Sequence, residues 1–155
     1  MKSSIVFILA AMLLYACGQK TEGKTDAVGE ASEAKPALAG YDPERGAGKF
    51  DNVELPEKLD TKMAGDGKSV YDLKCSGCHR LTDEKLVGPG WKGVSQKHRP
   101  EWIMNFITNP DVMIDKDPKV QAQLEICLIR MPNQNLSDDQ ARQLLEFMRQ
   151  NDGVK

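Results

Sequence analysis

Apolar positions along this chain fall into three regimes. Residues 5–14 form an unbroken apolar run, and residues 18–48 carry scarcely a bulky apolar side chain. Beyond residue 66, apolar residues recur at the three- and four-residue spacing of helices buried on one face. Asp66 has the chemistry of an N-cap and predicts a helix to about Lys74, with Val70, Tyr71 and Leu73 spaced for burial. Pro100 suits the first position of a second helix whose apolar face is Trp102, Ile103, Phe106 and Ile107; Asn109-Pro110 ends it. Asp117-Pro118 repeats the start signal ahead of a stripe formed by Val120, Leu124, Cys127 and Leu128. Ser137-Asp138-Asp139-Gln140 reads as a capping box, Leu144, Leu145, Phe147 and Met148 give the last helix its apolar face, and Gly153 follows its end. Strand-like alternation and internal repeats are absent from the sequence, so the predicted fold class is all-α.

The two leading segments are not part of that helical body. The run 5–14 follows a positive Lys2 and is too short to cross a bilayer, which takes about 20 apolar residues. It ends in Leu14-Tyr15-Ala16-Cys17-Gly18, which resembles the lipobox of bacterial lipoproteins, where the cysteine is acylated and becomes the first mature residue. Residues 1–16 are thus expected to be a lipoprotein signal peptide. Residues 17–49 are read as lipidated Cys17 and a flexible linker, because so few apolar side chains cannot offset the entropy of ordering. Such a coil of about 40 residues would reach roughly 35 Å. Residues 50–65, with Phe50, Val53, Leu55 and Leu59 around Pro56, are expected to be an extended lead-in resting loosely on the domain at 66–152.

Charge alters this picture little. The net charge is -2 with 28% charged residues, and no basic face or tail suggests nucleic acid. Two histidines and 6% aromatic residues leave few candidates for acid–base catalysis.

Cysteine use is more informative. The four cysteines are Cys17, Cys75, Cys78 and Cys127. Cys75-Ser76-Gly77-Cys78-His79 has the Cys-x-x-Cys-His spacing of c-type haem attachment: one short turn presents two thiols to the haem vinyl groups and then an imidazole to the iron. A zinc site would need further N or S ligands, and only His98 and Cys127 remain, far apart in sequence. A thioredoxin-like pair would stand beside a strand, and none is predicted. With lipid on Cys17 and haem on Cys75 and Cys78, Cys127 is left alone and is expected to be buried.

Over residues 67–150 the chain resembles the class I cytochrome c family. Gly67-Lys68-Ser69-Val70-Tyr71 ahead of Cys75 is similar to that family's first helix, whose glycine and aromatic residue pack on the last helix; Leu144 and Phe147 match the receiving positions. Leu86-Val87-Gly88-Pro89-Gly90-Trp91 resembles its Gly-Pro segment, in which the proline carbonyl accepts a hydrogen bond from the ligating histidine. The resemblance implies one covalent haem c on Cys75 and Cys78, His79 as one axial ligand, Pro89 as its support, and Met131, just before the last helix, as the other. Met113, expected in a loop after Pro110, is the competing methionine; Met104 and Met148 fall on predicted helices. The bulky Cys127-Leu128-Ile129-Arg130 replaces a glycine-rich run frequent in the family at this point. His98, in Gln96-Lys97-His98-Arg99-Pro100, is expected to be a solvent-facing loop residue.

Histidine and methionine together leave iron no open position, so the expectation is a non-enzymatic, one-electron carrier. It would be tethered by lipid on the periplasmic side of a bacterial membrane, monomeric, and move electrons from a quinol-oxidising complex to a terminal oxidase or exported reductase. The alternative is a haem enzyme or a gas- or peroxide-binding protein with a displaceable sixth ligand. Between residues 74 and 99, Lys74, Arg80, Lys85, Lys92, Lys97 and Arg99 stand against Asp83 and Glu84, which predicts an acidic docking partner.

Overall fold

The computed structural model describes residues 40–155 of the chain. The expected signal peptide, Cys17 and most of the expected linker lie outside the described residues. The described part is all-α: α1 (Thr61–Lys74), α2 (Val94–Lys97), α3 (Pro100–Thr108), α4 (Pro110–Lys116), α5 (Pro118–Cys127) and α6 (Asp138–Asn151). Its one β feature is an isolated bridge between His79 and Lys85. Among the described residues, no helix is long and apolar enough to cross a membrane.

α1 crosses α6, and the crossing is set by one missing side chain. A Cβ on Gly67 would lie 2.0 Å from the Gln143 carbonyl oxygen, so only glycine allows this approach. Tyr71 then stacks at a tilt on Phe147, ring centroids 5.4 Å apart, and Leu144 is fully buried beneath them. α1 begins at Thr61 rather than after Asp66, because Asp60 accepts the Met63 N–H at 2.9 Å and caps the helix there. Leu73 is 85% exposed instead of buried, since α6 covers the face carrying Gly67, Val70 and Tyr71. The Ser137–Gln140 capping box forms as read, and Gly153 takes a left-handed φ of 94° just past α6.

Asn109-Pro110 ends α3 and also starts a helix, α4, where a loop was expected: Pro110 sits at its first turn, where its missing N–H costs nothing. α5 starts at Asp117 as read, with the Asp117 carboxylate accepting the Lys119 and Val120 N–H groups at 2.7 and 3.1 Å. Its stripe is shallower than its spacing suggests. Val120 is buried, Leu124 and Cys127 are half-buried, and Leu128 is 82% exposed.

Residues 41–57 form a strap fastened to the helical body. Phe50 N–H donates to Asn105 Oδ1 and Val53 N–H to Glu101 Oε1, each at 2.9 Å; Tyr41 donates its hydroxyl to Asp117; Arg149 donates to the Pro56 carbonyl at 2.6 Å. Residues 41–49, expected to be linker, are held by side chains of α3, α4 and α5: Asn105 donates to the Arg45 carbonyl at 3.1 Å, the Met113 sulfur accepts the Ala47 N–H at 3.0 Å, and Lys119 donates to Glu44 at 2.7 Å. Arg149 is buried because the fully buried Glu146 pairs with it at 2.8 Å, and Arg142 shares the same carboxylate at 2.6 Å.

Candidate functional site

The turn after α1 folds residues 75–79 around a single acceptor. Cys78 and His79 N–H groups both donate to the Cys75 carbonyl, at 3.0 and 2.9 Å. The Tyr71 hydroxyl closes the turn by donating to the His79 carbonyl at 2.7 Å. Cys75 is buried in the core and Cys78 is exposed. Burial pushes the Cys75 thiol up to about 11.

His79 is aimed by the 86–91 loop. Val87 and Gly88 N–H groups donate to the Cys78 carbonyl at 3.2 and 2.9 Å, which brings the Pro89 carbonyl oxygen to 2.8 Å from His79 Nδ1. A carbonyl only accepts, so Nδ1 carries the ring proton and Nε2 keeps a free lone pair, the arrangement a ligating imidazole needs. Burial lowers the His79 pKa and so favours the neutral ring, while the Pro89 bond opposes that shift. Trp91, buried beside His79 with centroids 5.4 Å apart, is a wall residue whose role spacing alone did not reveal.

These groups border a mainly apolar cavity of about 450 Å³. Cys78, His79, Pro89 and Met131 all line it, with Cys75 buried just behind; Ile103, Phe106, Ile107 and Met148 supply apolar wall. Met131 reaches it from the loop between α5 and α6. Met113 does not: it lies in α4, fully buried, with its sulfur 3.0 Å from the Ala47 N–H. Met104 is buried in α3 and is likewise absent from the lining. The bulky 127–130 run is accommodated by Leu128, which takes a left-handed φ of 61° and donates its N–H to the Leu124 carbonyl. That conformation costs a non-glycine residue about 1–2 kcal/mol.

Two residues stand elsewhere than expected. His98 is half-buried on the cavity wall rather than facing solvent, because Trp102 stacks on its ring at 3.9 Å between centroids. Cys127 is half-buried and also lines the cavity, with Gln123 Nε2 at 3.5 Å from its sulfur. Of the cations between residues 74 and 99, Lys74 donates to the Gln134 carbonyl and Lys85 to that of Ile126, while Arg80 and Lys92 stand 3.9 and 3.8 Å from Glu84 and Asp83.

A thiol pair on a single turn, a neutral imidazole with Nε2 unprotonated, and a thioether border an apolar cavity of ligand size. This donor set fits haem c: sulfurs for the vinyl groups, imidazole and thioether for iron, hydrocarbon for the macrocycle. The cytochrome c family model matches residues 64–152. Among solved structures, cytochrome c from Rhodothermus marinus is similar at 35% identity and a TM-score of 0.68, covering 72% of this chain and 97% of that one. An engineered form of that cytochrome gives 34% identity and 0.68, over 72% and 98% of the two chains; an engineered form bound to a carbene intermediate gives 34% and 0.65 over the same shares. A comparison with curated proteins finds no match.

Proposed function

This chain belongs to the cytochrome c family, and from that premise we propose that it is an exported, membrane-tethered monohaem carrier between a quinol-oxidising complex and a terminal oxidase or exported reductase. Haem c, bound through Cys75 and Cys78, supplies an iron that accepts and returns one electron. His79 offers Nε2 to that iron while Pro89 holds the ring's other nitrogen, which fixes its orientation and raises its basicity. Met131 offers the second ligand, and a thioether there raises the reduction potential. With His79 and Met131 both engaged, the chain would leave a bound iron no position for substrate, and the chemistry it would support is outer-sphere electron transfer.

The apolar lining excludes water. Lys97 and the loosely paired Arg80 and Lys92 favour an acidic partner bound through a small, quickly released contact. Lipid on Cys17 holds the domain at the periplasmic face of the membrane, where it acts as a monomer.

The observation that carries this reading is the His79–Pro89 bond beside the Cys75–Cys78 turn. Mass spectrometry of the mature polypeptide tests it: one haem adduct and an acylated Cys17 are expected. A polypeptide without a porphyrin adduct sinks the reading.

A further inference from the structure

One buried carboxylate stands a single side chain from the cavity. Trp102 lines the cavity, and its Nε1 donates to Oδ2 of the fully buried Asp117 at 2.7 Å. Tyr41, at the start of the strap, donates its hydroxyl to the same oxygen. Oδ1 accepts the N–H groups of Lys119 and Val120, two further cavity-lining residues, at 2.7 and 3.1 Å. Each oxygen of Asp117 thus takes two donors. Three of the four are N–H groups, which cannot accept in return. Burial, and then Asp117 itself, raise the Tyr41 hydroxyl above its ordinary value, so the tyrosine stays a donor as well. Only an ionised carboxylate, which accepts at both oxygens, satisfies all four.

That charge has no cationic partner. Among the described residues no lysine or arginine pairs with Asp117; Lys119, two residues on, turns to Glu44 at 2.7 Å and to the Pro43 carbonyl at 3.2 Å. His98 stacks on the same indole, but burial and then Lys119 lower its pKa, so near neutral pH it is uncharged. A buried charge is screened far less than one in water, and its field reaches across the wall.

We infer that Asp117 sets the reduction potential of the bound haem: its charge, acting through the Trp102 wall, holds the potential down, and Tyr41 of the strap tempers that charge. The inference rests on the haem-carrier reading. Oxidised iron carries one more positive charge than reduced iron, so a fixed negative charge beside the cavity stabilises the ferric form. The electron comes from the donor protein and passes to the acceptor; Asp117 keeps its charge throughout. The Tyr41 O–H turns the positive end of its dipole to the carboxylate and offsets part of the field. An Asp117 needed only to cap α5 and fix Trp102 predicts the opposite sign. Its loss would admit water, which stabilises charge at the iron, and the potential would fall.

The test is the reduction potential of the haem-loaded full chain at one pH and ionic strength, with the ferric spectrum recorded to follow both axial ligands. Wild type, Asp117→Asn, Asp117→Ser and Tyr41→Phe are compared. Asparagine keeps the shape without the charge; serine keeps the helix cap and carries the test if the asparagine variant fails to hold haem. Both neutral variants should be reduced about tenfold more readily, a rise of about 59 mV for a one-electron couple. That is the scale of a unit charge acting over roughly 10 Å at an effective dielectric constant of about 20. Tyr41→Phe should shift the potential the other way, and by less. An unchanged or lowered potential in a neutral variant, or an unchanged or raised one in Tyr41→Phe, overturns the proposal. If neither neutral variant holds haem, Tyr41→Phe decides it, since only a hydroxyl is lost there. Absence of haem from wild type would instead overturn the carrier reading beneath it.

Discussion

Nδ1 of His79 donates to the Pro89 carbonyl across 2.8 Å, and Gly88, the residue between that carbonyl and the loop's hydrogen bonds to Cys78, lies against the same imidazole. The bond decides which nitrogen remains for a metal; the glycine decides whether the ring can occupy its place. A Cβ at position 88 would stand 2.4 Å from His79 Cε1, with the ring backed by Trp91 on another side.

Gly88→Ala is therefore expected to displace the imidazole and weaken its bond to Pro89. The forced repacking should cost about 1–3 kcal/mol. Ferric absorption spectra and thermal melts check this: a raised high-spin fraction and a lower midpoint are expected, and a variant matching wild type in both would contradict the placement of the ring.

The α1–α6 crossing makes a sharper contrast between two glycines of one helix. Gly67→Ala puts a methyl group 2.0 Å from the Gln143 carbonyl oxygen, whereas a Cβ on Gly65 meets nothing within 4 Å. The first change should cost about 1–3 kcal/mol. The second should stabilise by up to about 1 kcal/mol, since glycine is a poor helix former. Denaturant melts of the two variants should move in opposite directions; movement in the same direction would show that the crossing is looser than described.

The strap should impose a pH dependence of its own. Glu101 Oε1 accepts the Val53 N–H at 2.9 Å, and Arg99 Nε stands 3.3 Å from Oε2. Burial raises the Glu101 carboxyl, but the Val53 bond and Arg99 outweigh it, so its pKa lies below the ordinary 4.5. A depressed folded-state pKa gives stability that is present above the unfolded value and is lost as pH falls through the folded one. Glu101→Gln should cost about 1–2 kcal/mol near neutrality, and the difference from wild type should shrink below pH 4.5. Chemical denaturation at a series of pH values measures it; a cost independent of pH would contradict the assignment.

Features written in consecutive residues were legible in the sequence, and those made by distant partners were not. The 75–79 turn, the Pro89 support, the α3 start at Pro100 and the capping box of α6 are local, and the structure forms each of them. Residues from 50 on were expected to rest on the domain, but the fastening of 41–49 was not legible, because backbone groups make it (the Ala47 N–H to Met113, the Arg45 carbonyl to Asn105) and they leave no mark in side-chain spacing. Asn109-Pro110 is ambiguous by nature, since a proline that stops one helix also suits the start of the next; the structure uses it for both, and Met113, expected in a loop, is buried in α4. His98 stands among Gln96, Lys97 and Arg99, and its burial comes from Trp102 in α3, whose ring stacks on it across the bend between α2 and α3.

The central claim is iron held by His79 and Met131, and the ferric absorption spectrum of wild type beside Met131→Ala tests it most directly. Wild type should be low-spin with the weak far-red band of a methionine–iron bond, and the variant should lose that band, turn high-spin and bind cyanide. A wild-type protein already high-spin and avid for cyanide, or a variant with an unchanged spectrum, would contradict it.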